Sequence, residues 1–122
     1  MTPKKATEKL IDALEDMKAL NINTIDVRKQ TSITDMMIIA TGRSNRQVRA
    51  IADKILETAK QIGLPLLGIE GQKDGEWILV DLGDFVIHIM QPEVREYYQL
   101  EKLWILAPKK PRASKKKADP EG

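Results

Sequence analysis

Residues 44–65, SNRQVRAIADKILETAKQIGLP, constrain the fold more than any other stretch. Val48, Ile51, Ala52, Ile55, Leu56, Ala59 and Ile62 recur at helical spacing and form one wide apolar stripe. Both ends are punctuated. Ser44 and Gln47 fit a Ser-x-x-Gln capping box, in which two amides of the first turn find side-chain acceptors. Gly63 suits the left-handed position after the last turn, and Pro65 prevents continuation. The apolar run just before this helix, DMMIIAT at 35–41, reads as a buried strand.

The rest of the chain extends this pattern. Residues 3–20 read as a first helix, with Thr2 as its cap, Pro3 in its first turn and Leu10, Leu14 and Met17 on its apolar side. Residues 24–29 (TIDVRK) read as a short strand, antiparallel to 35–41 across the TSIT segment. Residues 65–70 (PLLGIE) read as a further strand, so strand, helix and strand predict a right-handed parallel crossover. Residues 76–90 (EWILVDLGDFVIHIM) read as two strands around a turn at Leu82-Gly83, and Pro92 opens a helix over EVREYYQLEKLW. The order is α-β-β-α-β-β-β-α, an α/β fold with a mixed sheet flanked by helices.

A length of 122 residues fits one compact domain, assigned to 1–106. From 107 the sequence PKKPRASKKKADPEG has almost nothing to bury, and 107–122 reads as a disordered basic tail. The net charge of +2 is uneven. Residues 109–122 hold six cationic and two acidic side chains, so the body is slightly acidic and the basic character belongs to the tail. No apolar run approaches the ~20 residues that span a bilayer, and the N-terminus lacks the apolar block of a secretory signal. With no cysteine there is no disulfide framework or thiolate metal site, and the expected setting is the cytoplasm.

Two places carry candidate chemistry. Gly42, Arg43, Ser44, Arg46 and Arg49 surround a helix start, where backbone amides and guanidinium groups can hold an anion. Against that, one glycine is too few to wrap a polyphosphate, and a capped helix with solvated arginines explains the same residues. The second place is the hairpin. A two-residue turn pairs Asp81 with Asp84, Leu79 with Val86 and Trp77 with His88. Phe85, Ile87 and Ile89, with Ile78 and Val80, then face the core. The opposite face mixes an aromatic anchor with charge, which suits a protein partner. A three-residue loop with Gly83 in a bulge fits equally and turns Trp77 to the core side. His88 is the single histidine, and Asp81 and Asp84 read more simply as turn formers than as metal ligands. No metal or cofactor is expected. Tyr97, Tyr98 and Trp104 read as packing, because their helix also carries Glu93, Glu96 and Glu101 rather than the cations of a base-stacking surface.

Three blocks in order, DMMIIATGRSNRQVRAIAD, GIEG and EWILVDLGDFVIHIMQPEVREYYQLEKLW, closely resemble the ribosomal silencing factor S (RsfS) family, also called Iojap or YbeB. The resemblance covers roughly residues 6–104 and leaves out the tail. It implies a nucleotidyltransferase-like fold without known enzymatic activity. It further implies binding to the large ribosomal subunit through ribosomal protein fourteen, so that the small subunit cannot join and translation falls when nutrients are scarce. A role in large-subunit maturation and a homodimer when free are also implied. The chain lacks any Asp-x-Asp, the metal-binding pair common in nucleotidyltransferases, which leaves Gly42-x-Ser44 as a vestigial anion site at most. Glu70, Trp77, Leu79, Asp81, Asp84, His88 and Met90 are the expected partner-binding residues. Their acidity complements a basic ribosomal protein. The Lys-rich tail is expected to add salt-sensitive contact with rRNA. A nucleotide-binding enzyme and a tail-led RNA-binding module are the competing readings.

Overall fold

A computed structural model of the chain describes residues 2–100 and 102. Its elements are α1 (Pro3–Asp16), β1 (Leu20–Asp26), β2 (Met36–Thr41), α2 (Asn45–Gln61), β3 (Gly68–Glu70), β4 (Trp77–Asp81), β5 (Phe85–Met90) and α3 (Pro92–Tyr98). One mixed sheet has the order β1-β2-β5-β4-β3. Only β2 and β5 are parallel neighbours; the other three pairings are antiparallel.

Helices α1 and α2 cover one face of the sheet. Leu10, Leu14, Val48, Ile51 and Ile55 pack there against Ile38, Ala40, Ile78, Val80, Ile87 and Ile89, all fully buried. The stripe of α2 therefore meets alternate residues of three strands, which is how a period near 3.6 and a period of 2 share one core. Thr2 Oγ1 caps α1 by accepting from the Lys5 amide at 3.2 Å, and Ser44 Oγ caps α2 by accepting from the Gln47 amide at 3.1 Å. Gly42 lies between β2 and α2, where an added Cβ would stand 2.8 Å from Val48 Cγ2. That contact, rather than a phosphate, accounts for the glycine. The opposite face carries a smaller cluster of Val27, Met37, Ile39 and Met90, against which Ile25, Trp77, Val94 and Leu100 pack.

Several expected boundaries move. Helix α1 stops at Asp16 instead of 20, because Lys18 turns left-handed (φ 63°) and the chain enters β1 at Leu20. Strand β1 starts four residues before the expected Thr24. Its pairing slips between Leu20 and Asn23, and Asn21 (φ 49°) absorbs the irregularity, as Asn tolerates that region. The antiparallel β1–β2 pair is as expected. Strand β3 is only Gly68–Glu70 and is an edge strand beside β4. The crossover from β2 through α2 thus passes two strands, and the parallel neighbour of β2 is β5. Helix α3 ends at Tyr98, with Gln99 left-handed at φ 48°; Trp104 and the tail at 107–122 lie outside the described residues.

The β4–β5 register also differs from that of a turn at Leu82-Gly83. Asp81 pairs with Val86, Leu79 with His88, and Trp77 with Met90. The Asp81 carboxylate accepts from the Gly83 amide at 2.9 Å, and the Leu82 amide donates to the Phe85 carbonyl, which closes the turn around Gly83-Asp84 instead of Leu82-Gly83. Because the shift is two residues, every side chain keeps its expected face. Trp77 lies opposite the α1–α2 core, so the three-residue bulge loop is not what forms.

Candidate partner-binding face

The face away from α1 and α2 is built by alternation. Trp77, Leu79 and Asp81 on β4 stand beside Val86, His88 and Met90 on β5, with Glu70 on β3 opposite Leu79. Helix α3 lies over only part of this surface. Its Tyr98 ring sits 4.9 Å from the Trp77 ring at an interplanar angle of 49°. Leu79, Asp81 and Val86 are half-buried, whereas Glu70 and Asp84 are exposed. A small apolar surface is therefore edged by carboxylates.

Two expected contact residues take another role. Met90 is fully buried and belongs to the cluster beneath α3, so it supports the face without presenting a surface. His88 is 6% exposed, and its Nδ1 accepts the Trp77 indole N–H at 2.9 Å. An indole nitrogen only donates, so Nδ1 must be unprotonated. Burial pushes the His88 pKa down to about 4, which keeps the ring neutral near pH 7. His88 thus anchors Trp77 instead of offering a charge to a partner. The aromatic contacts run outward from His88 to Trp77 (5.8 Å), Tyr98, and then edge-on to Tyr97 at 4.9 Å. Tyr98 is 51% exposed and Tyr97 81%, so the series ends at the surface. The sequence reading assigned both tyrosines to packing; the signal for Tyr98 lies in the proximity of α3 to β4, which periodicity does not contain.

The arginine-bearing turn has a different use. The Gln47 side chain accepts from the Arg43 amide at 2.6 Å and donates to the carbonyls of Met17 (3.3 Å) and Lys18 (3.2 Å). The reciprocal bond of the capping box therefore goes to Arg43, one residue before the cap, and Gln47 also ties α2 to the end of α1. Arg49 donates to the carbonyls of Gln72 and Lys73, and Asn45 to that of Asp74. Gln91 donates to Gly75 O and to Asn45 Oδ1. Arg43 and Arg46 are exposed. The chain after β2 turns to one face and the chain after β5 to the other, so the crevice between their carboxyl ends is where α/β sheets commonly bind ligands. Here the 71–76 backbone meets the donors at that crevice. Of the anion-site arginines, Arg49 is engaged by the protein itself.

A groove of about 490 Å³ lies between β1 and α3, lined by Asn21, Asn23, Thr41, Arg95 and Gln99 among others. Arg95 crosses it to donate to Thr41 Oγ1 at 2.8 Å. Among the described residues no group of three or more His, Asp or Glu side chains could hold a metal ion, and no helix is long and apolar enough to cross a membrane.

The family model described as ribosomal silencing factor during starvation matches residues 1–121. A ribosomal silencing factor from Haemophilus influenzae is 50% identical over 97 residues, covering 80% of this chain and 95% of that protein. A mouse protein named for mitochondrial assembly of the ribosomal large subunit is 37% identical over 100 residues, which are 80% of this chain and 44% of the longer mouse protein. A crystal structure of a Chromobacterium violaceum protein superposes with a TM-score of 0.83 at 43% identity, covering 94% of this chain and 95% of that one.

Proposed function

This chain belongs to the ribosomal silencing factor family, and we propose that it binds the large ribosomal subunit through ribosomal protein fourteen and there blocks joining of the small subunit. The family assignment carries a ribosome-associated silencing role, which is regulatory. The finer reading is supported by one observation above all: the outer sheet face presents Trp77, Leu79 and Tyr98 within a border of Glu70, Asp81 and Asp84. An aromatic anchor with an acidic rim suits a basic protein surface, since ribosomal proteins are generally basic. The action is steric and alters no covalent bond, and its setting is the cytoplasmic ribosome. The mouse relative's name supports the large subunit as the partner. A share in large-subunit maturation, and a homodimer when free, belong to the same proposal.

The test is co-sedimentation with purified large subunits, followed by a subunit-joining assay. Trp77→Ala, and the pair Asp81→Lys with Asp84→Lys, should each lose binding and restore joining. Wild-type co-sedimentation of both variants would discard this face. The Lys-rich tail is assigned a secondary attraction to rRNA. Deleting 109–122 should leave binding in place and reduce its dependence on salt. Complete loss on that deletion would favour an RNA-binding module led by the tail.

A further inference from the structure

Loop 71–76, GQKDGE, joins Glu70 on β3 to Trp77 on β4, and all six of its carbonyls have donors. Gly71 O accepts from the Gly75 amide, Gln72 O and Lys73 O from Arg49, Asp74 O from Asn45, Gly75 O from the Gln91 side chain, and Glu76 O from the Gln91 amide. Apart from the loop's own Gly75 amide, the donors come from the first turns of α2 and from Gln91, the residue between β5 and α3. Backbone closure is equally tight. Gly71 (φ +89°) would place a Cβ 1.9 Å from Trp77 O, and Gly75 (φ +72°) would place one 3.1 Å from Asn45. Meanwhile the side chains of Gln72, Lys73, Asp74 and Glu76 are exposed. Two antiparallel strands can be joined by a two-residue turn. Immobilising an Arg, an Asn and a Gln to hold a longer loop costs side-chain entropy.

We propose that Arg49, with Asn45 and Gln91, is a positioning residue that holds loop 71–76 as a preformed acidic rim of the Trp77 face for a basic protein partner. The inference rests on the reading of that face given above. Glu70, Asp74 and Glu76 outnumber Lys73 along this rim. Ordering the loop in the free protein removes a cost that association would otherwise bear. Arg49 acts through the loop, not by touching the partner.

The experiment uses the full chain with purified large ribosomal subunits, and hydrogen exchange on the free protein. Arg49→Ala should raise exchange of the Gly75 amide, which is bonded to Gly71 O within the loop, at least tenfold, leave the thermal midpoint nearly unchanged, and weaken binding roughly tenfold. Direct electrostatics predicts the opposite sign, because removing a cation favours a basic partner. Arg49→Lys keeps the charge but lacks the two-pronged donor, so it should stay loose and weak. Asn45→Ala, which removes the bond to Asp74, gives the same two readouts should Arg49→Ala fail to fold. A loosened loop with wild-type binding, while Trp77→Ala loses binding, overturns the inference and leaves the face standing. Unchanged exchange overturns it as well. Wild-type binding by Trp77→Ala removes the face and the inference together.

Discussion

Trp77 and His88 are joined across β4 and β5 by an indole N–H to imidazole Nδ1 bond of 2.9 Å, and that bond requires a neutral histidine. The pair is diagonal in the register, since His88 stands opposite Leu79 and Trp77 opposite Met90. One nitrogen of a buried ring is thereby satisfied by a side chain of the outer face.

The burial of His88 makes stability depend on pH. The folded His88 pKa of about 4 lies below the ordinary value of 6.5, through burial. Between those values the unfolded chain binds the proton and the folded chain does not, so stability falls as pH drops from about 6.5 toward 4. The expected loss is roughly 2–3 kcal/mol by pH 4.5. Urea unfolding of the wild type at pH 7 and 4.5 should show it, and His88→Gln should flatten the slope in this window whatever its stability at pH 7. Asp26, held at about 2 by the Arg28 guanidinium, acts in a lower window. Its paired form is lost only as pH falls from near 4 through 2, and both groups are too exposed for a large effect.

Much of this fold was legible because local and global preferences agree. The stripe of α2, its serine cap and Gly63 each point to the same helix, and the Phe85, Ile87, Ile89 alternation names the core side of β5 correctly. Strand β1 was misplaced because Asn21 and Asn23 are poor strand formers. It exists because β2 offers a partner ladder, which is a tertiary cause. The site divides similarly. Trp77 and Leu79 could be placed on one face by period, since a two-residue error in register preserves faces. The burial of His88 and Met90 could not, because it depends on how far α3 reaches over the sheet. Nor could the loop clamp, whose donors lie 23 to 29 residues before, or 16 residues after, the carbonyls they hold.

Gly71 and Gly83 separate clash from conformational preference. Both have positive φ, but an alanine Cβ at 83 would find its nearest atom at 3.6 Å, whereas at 71 it would meet Trp77 O at 1.9 Å. Gly83→Ala should cost about 1 kcal/mol, the penalty of the left-handed region alone. Gly71→Ala must also move the β4 backbone and should cost more than about 3 kcal/mol. Equal midpoints for the two variants in chemical denaturation would contradict this geometry.

Gln47 carries more than its helix cap. Ser44→Ala removes one acceptor and should cost about 1 kcal/mol. Gln47→Ala removes the acceptor for Arg43 N and the donor to the end of α1 together, so its cost should exceed that of Ser44→Ala, at roughly 1.5–3 kcal/mol. The double variant should be less than additive, because both residues serve the same turn. Simple additivity would mean that the two caps act independently.

The outward aromatic series predicts an asymmetry between adjacent tyrosines. Tyr98 packs on Trp77, while Tyr97 touches Tyr98 edge-on and is largely in solvent. Tyr98→Ala should uncover the indole of Trp77 and shift its emission to the red, read with tryptophan-selective excitation in a Trp104→Phe background so that Trp77 is the only tryptophan. It should also weaken large-subunit binding at least tenfold, as expected for an aromatic residue at the centre of a contact. Tyr97→Ala should leave the Trp77 emission in place and weaken binding less than Tyr98→Ala, since it lies at the end of the series. A larger effect at Tyr97 than at Tyr98 would move the contact from the sheet face to the outer side of α3, away from Leu79 and the carboxylates that flank it.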